Sequence, residues 1–191
     1  MPDTGAPWNI PYVESSDLVS DWPADSLALA NAIDAGLDAA ENAGIGSNVV
    51  SALKTDAFST TNSSPTAVTG LSVTITPTSA TSKILVIGFV HVSAGAAGSA
   101  DCDVTLLRDS SAIAVSTAGA VFNATAGPRV ISSTASMFSA TISVLDSPAT
   151  TSAVQYDIGL SSNASTAYIN RSGSTDQNGY VSSITAIEVE A

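Results

Sequence analysis

The sequence predicts a mainly β protein, in which an extended arm and one α-helix precede an antiparallel, jelly-roll-like β-sandwich. Two observations predict this class. Residues 1–53 contain eight acidic residues and no Lys or Arg, whereas the five basic residues all lie in residues 54–191. After residue 54, short segments of alternating apolar and small polar residues follow one another between Pro, Gly and Asn turns. We therefore divide the 191 residues into an arm (1–22), a helical segment (23–46) and a β body (54–191).

The arm is expected to be extended and to bind a partner. Pro7 and Pro11 fix their own φ angles and bias the residues before them away from helix. The aromatic side chains near them cannot be buried by so short a segment. We predict that the arm docks on another protein through four anchors: Trp8, Ile10, Tyr12 and Trp22. The alternatives are that the arm packs back on its own domain or stays disordered.

A helix is predicted over residues 23–42. Pro23 suits the first helical turn, and Asp21 and Asp25 place acid at the positive end of the helix dipole. Two glycines follow its end, as is usual at helix C-termini. One face carries a short heptad seam made of Ala30, Ile33, Leu37 and Ala40. An isolated helix of this length is marginal in water, so the seam must rest on copies of itself, on the β body or on another protein.

Eight segments of the β body are predicted to be strands. Residues 71–75 alternate Leu, Val and Ile with Ser and Thr, and Pro77 follows them. Residues 84–92 are almost continuously apolar, which is typical of a strand covered on both faces. The other segments are 104–107, 112–116, 138–144, 154–160, 168–170 and 182–190. Eight or nine such strands favour two antiparallel sheets, and the jelly roll is the arrangement that holds about eight.

Composition excludes several classes of function. The net charge of −12 would repel a phosphate backbone, so we expect no nucleic-acid binding. No apolar stretch approaches the roughly 18 residues of a membrane span, so no membrane insertion is expected. The first residues lack the basic-then-apolar layout of a secretory signal, which predicts synthesis in a cytoplasm. The single cysteine cannot form an internal disulfide, and the single histidine cannot build a histidine-rich metal site.

Two groups of residues bear chemistry, and for both a structural role is favoured. His91 is expected to share a strand face with Leu85, Ile87 and Phe89 and to be a satisfied histidine at the end of a buried strand. Catalysis would need a nucleophile and an orienting acid beside it, which no motif supplies.

The second group is Asp101, Cys102 and Asp103, which could offer oxygens to a calcium ion but lack the glycine-containing acidic loop of known calcium sites. Solvated carboxylates and a small buried cysteine are favoured for these positions. We therefore expect no enzyme activity, no metal and no cofactor.

Several short sequence segments resemble segments of tailed-bacteriophage virion proteins. Residues 5–12 (GAPWNIPY), the acidic spacer after them and the helix start at 21–24 (DWPA) resemble the N-terminal part of such proteins. The β body is similar to domains of phage fibre, tail and head-decoration proteins in FSTT at 58–61, VTGLSVTITP at 68–77, SKILV at 82–86, LRD at 107–109, LDSP at 145–148 and YINRS at 168–172. The resemblance implies a phage structural protein, commonly a homotrimer, whose N-terminal part holds it to the particle.

The expected function is therefore that of a non-enzymatic virion component, a short fibre or decoration protein made in the host cytoplasm. Its partners would be its own copies and, through the arm, capsid, portal, collar or tail proteins. Two alternatives stay open. One is a capsid cement that stabilises the head. The other is an adhesin module that binds host surface glycans, in which Tyr156, Tyr168 and Tyr180 would line the sugar site, although packing roles are favoured for these rings.

Overall fold

A computed structural model describes residues 22–42, 48–95, 101–118, 124–127, 134, 136–174 and 179–189. The chain divides into two compact units, Met1–Ser47 and Asn48–Ala191. The arm anchors Trp8, Ile10 and Tyr12 lie outside the described residues, so their docking stays a prediction.

The first unit contains one helix, α1, which spans Trp22–Asn42. It begins one residue before the predicted start and keeps Pro23 in its first turn, where the missing N–H leaves no helical hydrogen bond unmade. Its apolar side chains are largely accessible: Leu27 is 62%, Ile33 44% and Leu37 59% exposed. The described part of the first unit therefore presents apolar surface rather than burying it.

The second unit is a body of ten strands among its described residues. In chain order they are β1 (Val49–Lys54), β2 (Phe58–Thr60), β3 (Thr66–Ile75), β4 (Lys83–Ala94), β5 (Asp103–Arg108), β6 (Ser111–Ile113), β7 (Phe138–Asp146), β8 (Val154–Ser161), β9 (Ala167–Ile169) and β10 (Ser182–Val189). All the strand pairs are antiparallel. The fold is mainly β, as the alternation of apolar and polar residues predicted.

The strand order is that of a jelly roll. With the short β2 and β9 set aside, the first strand pairs with the last (β1 with β10), the second with the next to last (β3 with β8), then β4 with β7 and β5 with β6. Two cross-pairs, β10 with β4 and β8 with β5, join these nested pairs into two sheets. The first sheet runs β1-β10-β4-β7 and the second β3-β8-β5-β6. The short β9 and β2 extend the far end of β4.

The core lies between the two sheets and consists mainly of Val, Leu, Ile and Ala side chains from both. At its centre, Gly88 of β4 faces Ile158 of β8. A Cβ atom added at Gly88 would lie 3.1 Å from the Ile158 Cδ1 atom and 3.4 Å from the Ile142 Cβ atom. The missing side chain thus lets the two sheets approach each other at this point.

Three differences from the sequence prediction concern strands. The β body begins at Val49, ahead of residue 54, because β1 alternates Val50 and Ala52 inward against the core. The short β2 was not predicted at all. The third difference is β4, which was expected to be covered on both faces. Its residues Ile84 and Val86 are fully buried, whereas Ile87 is 39% and Phe89 42% exposed. In the described body the second sheet covers β4 on one face only.

A buried carboxylate joins the two chain-terminal strands of the body to the β3–β4 loop. Glu188 of β10 is fully buried. Its Oε1 atom accepts hydrogen bonds from the Thr78 backbone N–H and hydroxyl, both at 2.7 Å, and its Oε2 atom accepts one from Asn48 Nδ2 at 2.9 Å. Burial raises the pKa of this carboxyl, but the hydrogen bonds from Thr78 and Asn48 outweigh burial and lower the pKa to about 2.

Replacing Glu188 with Gln should destabilise the body and change its response to acid. A carboxyl whose pKa is about 2 when folded and 4.5 when unfolded stabilises the fold above pH 4.5 and loses that effect as the pH falls towards 2. We expect the free energy of unfolding of E188Q to be about 1–3 kcal/mol lower than that of wild type at pH 7. The reason is that Gln replaces one acceptor oxygen with a donor group, which faces the donors of Thr78 and Asn48. This deficit should shrink between pH 4.5 and 2.

Urea unfolding across that pH range measures the effect, with D34N on the exposed side of α1 as the control. A difference between E188Q and wild type that stays constant from pH 7 to pH 2 would contradict this role of Glu188.

Candidate functional site

The first sheet turns an unusual surface outward. Side chains alternate along each of its strands, so every second residue of β1, β10, β4 and β7 faces away from the core. We call the part of this set that runs from the row of Val49 to the row of His91 the outer face. It consists of Val49, Ser51, Leu53, Ser183, Thr185, Ile187, Leu85, Ile87, Phe89, His91, Ser139, Thr141, Ser143 and Leu145, all exposed or half-buried.

The strand register aligns apolar side chains across the outer face. Val49 pairs with Ile187, Ile187 with Leu85, and Leu85 with Leu145, so one row crosses all four strands without a polar residue. Val49 is 48% and Leu145 52% exposed. In the next two rows Ile87, Phe89 and Leu53 stand among Ser and Thr residues. The outer face therefore combines one unbroken apolar row with further apolar side chains set among Ser and Thr, and contiguous apolar patches mark interaction sites on soluble proteins.

Aromatic rings lie against one another at the end of the outer face that carries His91. The His91 ring lies 4.9 Å from the Phe89 ring in an edge-to-face arrangement and 4.8 Å from the ring of Tyr180, which is 42% exposed. The Ser139 hydroxyl lies 3.2 Å from His91 Nδ1. Partial burial lowers the pKa of His91, so the imidazole is neutral at pH 7.

Backbone contacts hold these rings in place. The His91 N–H donates to the Ser182 hydroxyl oxygen at 3.0 Å, and that hydroxyl donates to Asn170 Oδ1 at 2.6 Å. Asn170 also accepts the N–H of Tyr180 at its carbonyl oxygen, at 3.2 Å. The prediction that His91 shares a face with Leu85, Ile87 and Phe89 is confirmed, but the strand face is the outward one, not a buried one.

The outer face contains no charged residue. Lys83 lies in the adjacent outward row, two residues before Leu85 on the same side of β4, and pairs with Val189. Two acids lie on strands of this sheet, Asp146 on β7 and Glu188 on β10, and both point inward. The fourteen positions of the outer face therefore contain no acid.

The inward acid Asp146 is held by the second sheet. Arg108 Nη1 donates to both carboxylate oxygens of Asp146, at 3.0 and 2.9 Å, and the hydroxyl of Tyr156 donates to Oδ2 at 2.7 Å. Burial and the neighbouring Asp146 carboxylate raise the pKa of the Tyr156 phenol. This contact joins β7 to β5 and β8 and keeps the charge of Asp146 away from the outer face.

The residues predicted to bear chemistry have structural roles. Cys102 is fully buried, as predicted, and its thiol donates to the Ser93 carbonyl oxygen at 3.0 Å. Asp101 is not the solvated carboxylate that was expected. It is 7% exposed and accepts a 2.7 Å hydrogen bond from Asn163 Nδ2. Asp103 is half-buried, and its pKa is raised by burial and by Asp101. In the described residues no three His, Cys, Asp or Glu side chains converge where a metal ion would fit.

The three tyrosines proposed to line a sugar site do not form one. Tyr156 is fully buried in the core, so it cannot contact a ligand. The Tyr168 ring is covered by the guanidinium group of Arg171, whose Cζ atom lies 4.6 Å from the ring centre. Tyr180 packs against His91 on the outer face. A separate polar cleft of about 330 Å³ is lined by Thr61, Asn163, Ala164, Ser165 and Thr166.

For the helix seam and the arm the structure describes only some of the predicted residues. Ala30, Ile33 and Leu37 are exposed on α1, and Trp22 is its first residue. The side chains of Trp22 and Ala40 lie outside the described part. Within the described ranges, no helix combines the length and the apolar character that crossing a bilayer requires.

The outer face was not identified from the sequence, although its signal is present there. The apolar run 84–92 predicts a strand with two covered faces, and a two-layer body covers only one of them. A strand of that composition in a two-layer sandwich points to an outward surface that another element or another chain covers.

Comparison with known proteins found similarity only to solved structures, at low sequence identity. No family model matches the sequence, and no curated protein matches it. Among solved structures, the chain is similar to the infectious bursal disease virus Gt strain structure, with 75% of this chain and 38% of that chain covered at 13% identity and a TM-score of 0.38. It is also similar to the VP2 subviral particle of the same virus, with 75% and 41% covered at 10% identity and a TM-score of 0.35. The chain thus spans about two fifths of the length of these structures.

The buried thiol gives a direct check on the body. Burial, reinforced by Asp103 and Asp101, raises the pKa of Cys102 to about 12, so almost no thiolate is present at pH 8. We expect the native chain to react with Ellman's reagent at least about 100-fold more slowly than the chain unfolded in guanidinium chloride. Rapid stoichiometric labelling of the native chain would show that Cys102 is accessible and that the core around it is not as described.

Proposed function

We propose that the chain is a non-enzymatic structural component of a phage virion, a short fibre or decoration protein that assembles as a homotrimer. The arm, residues 1–22, attaches it to capsid, portal, collar or tail proteins through Trp8, Ile10, Tyr12 and Trp22. The helix aligns the copies along the seam of Ala30, Ile33, Leu37 and Ala40. The β body projects from the attachment point.

The observation that carries this proposal is the exposed apolar surface on each of the two units. On α1, Ile33 and Leu37 lie one turn apart and are 44% and 59% exposed. On the body, Val49 and Leu145 at opposite ends of one row are about half exposed. Contiguous exposed apolar surface marks interaction sites on soluble proteins, so both surfaces favour contact with other chains. The arm and the body resemble phage virion proteins, and we therefore propose the phage particle as the place of assembly.

Attachment through several copies strengthens a modest anchor. The arm offers few large apolar side chains, and aromatic residues provide much of the binding energy of protein interfaces. When three arms belong to one oligomer, the second and third bind at high effective concentration, so the oligomer stays attached although each arm binds weakly. The acidic charge of the chain keeps neighbouring oligomers apart.

Deleting residues 1–22 tests the anchoring role. We expect the truncated chain to keep its far-ultraviolet circular dichroism spectrum and its thermal transition, because the body begins after residue 47. It should no longer be recovered on purified particles when it is supplied in place of the full chain. Recovery at normal copy number would contradict the anchoring role of the arm.

Replacing Leu37 with Asp tests the helix seam. A carboxylate at this position would be buried between copies, so the dissociation constant of the oligomer should rise at least about 10-fold. The matched control is Ala35→Asp, which adds the same charge on the opposite side of α1, where the residue is also exposed. Sedimentation equilibrium of the two full-length variants measures the difference. Equal dissociation constants for them would remove the seam from the interface.

A further inference from the structure

We infer that the outer face packs against the same face of two further copies of this chain around a three-fold axis. The inference rests on the proposed homotrimer and adds to it the surface by which the bodies meet. Its ground is the apolar row of Val49, Ile187, Leu85 and Leu145, together with the exposed Ile87 and Phe89 beside it.

The composition of β4 indicates that its second face is also covered. Strands buried on both faces are nearly continuous in Val, Ile and Leu, whereas strands with one wet face alternate apolar and polar residues. Ser or Thr occupies three of the four outward positions of β7 and two of the four of β10. On β4 the outward positions within the outer face are Leu85, Ile87, Phe89 and His91, and Lys83 precedes them. The strand at the middle of the outer face therefore carries the largest apolar side chains, as the centre of an interface does.

Charge favours a copy of this chain as the occupant. Two chains of net charge −12 repel each other wherever their acids meet, and the outer face is the surface of the first sheet on which no acid lies. A basic partner would gain nothing by binding there, because the outer face offers no carboxylate to pair with. Identical copies meet at least cost through this uncharged surface.

The dimensions of the sheet fit a three-fold arrangement. The axes of four strands spaced about 4.8 Å apart span about 14 Å. If the edge strands of neighbouring copies also lie about 4.8 Å apart, a three-sided prism places each backbone about 7 Å from the axis. Packed sheets lie about 10 Å apart, so an average side-chain layer is about 5 Å deep, and one layer of large side chains from each copy would fill the space at the axis.

The area explains why the helix is also needed. From the row of Val49 to the row of His91 the outer face is about 20 Å long, which gives a flat area of about 400 Å² per copy. A stable interface usually buries about 800 Å² on each partner. The outer face alone would hold the copies weakly, and the α1 seam raises the effective concentration of the bodies.

The test compares full-length variants by sedimentation equilibrium. Ile87→Glu places one carboxylate per copy at the centre of the outer face, and Thr74→Glu places the same charge at an exposed position of β3 on the second sheet. We expect wild type and T74E to be trimers and the dissociation constant of I87E to rise at least about 100-fold. Ile87→Ser, which removes the side chain without adding charge, should give a smaller rise in the same direction. Circular dichroism checks that every variant keeps the wild-type fold.

The salt dependence of the wild-type trimer tests the role of charge in self-association. Screening reduces the repulsion between acidic copies, so the wild-type trimer should become tighter between about 0.05 and 0.5 M NaCl. A wild-type stoichiometry of two, or a trimer that weakens as salt is added, would overturn the three-fold packing of the outer face.

Two outcomes separate this inference from the proposed function. If I87E and T74E stay equally trimeric while Leu37→Asp dissociates, the outer face is not the interface, and the structural role with its helix seam stands. If I87E alone dissociates and Δ1–22 still binds particles, the outer face is the interface and the anchoring role of the arm fails.

Discussion

A two-layer sandwich can cover each of its sheets on one face only. This constraint leaves the outer face of the first sheet without a covering layer among the described strands. In the jelly-roll order β4 lies inside the first sheet, between β10 and β7, so its inward face is sealed by the second sheet. Its outward face carries Leu85, Ile87 and Phe89, side chains that usually occupy a core. The fold thus places apolar side chains where the chain itself has no second layer among its described strands.

The polar interior reinforces this separation. A shift of one residue along a strand reverses which side chains face outward, so the parity of Asp146 on β7 and of Glu188 on β10 matters. Both acids face inward and are fully paired there, Asp146 with Arg108 and Tyr156, Glu188 with Thr78 and Asn48. These buried contacts fix the register of strands that form the outer face. The carboxylates of Asp146 and Glu188 therefore do not lie on the outer face.

The sequence identified the elements better than their arrangement. Period-two alternation located most of the strands, and the proline and seam pattern located α1, because local periodicity records which side of an element is buried. It missed β1, whose inward Val50 and Ala52 follow directly on the glycine-rich end of the helical segment, and β2, which is three residues long. Nested pairing brings together strands more than a hundred residues apart, such as β1 and β10, and local pattern contains no signal for such contacts.

The candidate site was harder to predict because burial is a property of the assembled sheets. The apolar run of β4 was correctly recognised as a strand, yet which face meets the core depends on partners elsewhere in the chain. Tyr156 was named as a possible sugar-binding ring, with packing favoured, and its buried hydroxyl donates to Asp146. Asp101 was expected in solvent, yet it is buried and accepts a hydrogen bond from Asn163, distant in sequence.

In the inferred trimer the outer faces of different copies meet. The most direct measurement is the distance between spin labels on different copies, made on the full chain with Cys102→Ala and Ser143→Cys so that one label sits on the outer face. We expect a trimer with a label-to-label distance of about 20 Å or less, since each backbone would lie about 7 Å from the axis. The same label at Thr74→Cys should give a clearly longer distance. A trimer whose Ser143→Cys labels are no closer than those at Thr74→Cys would contradict the account.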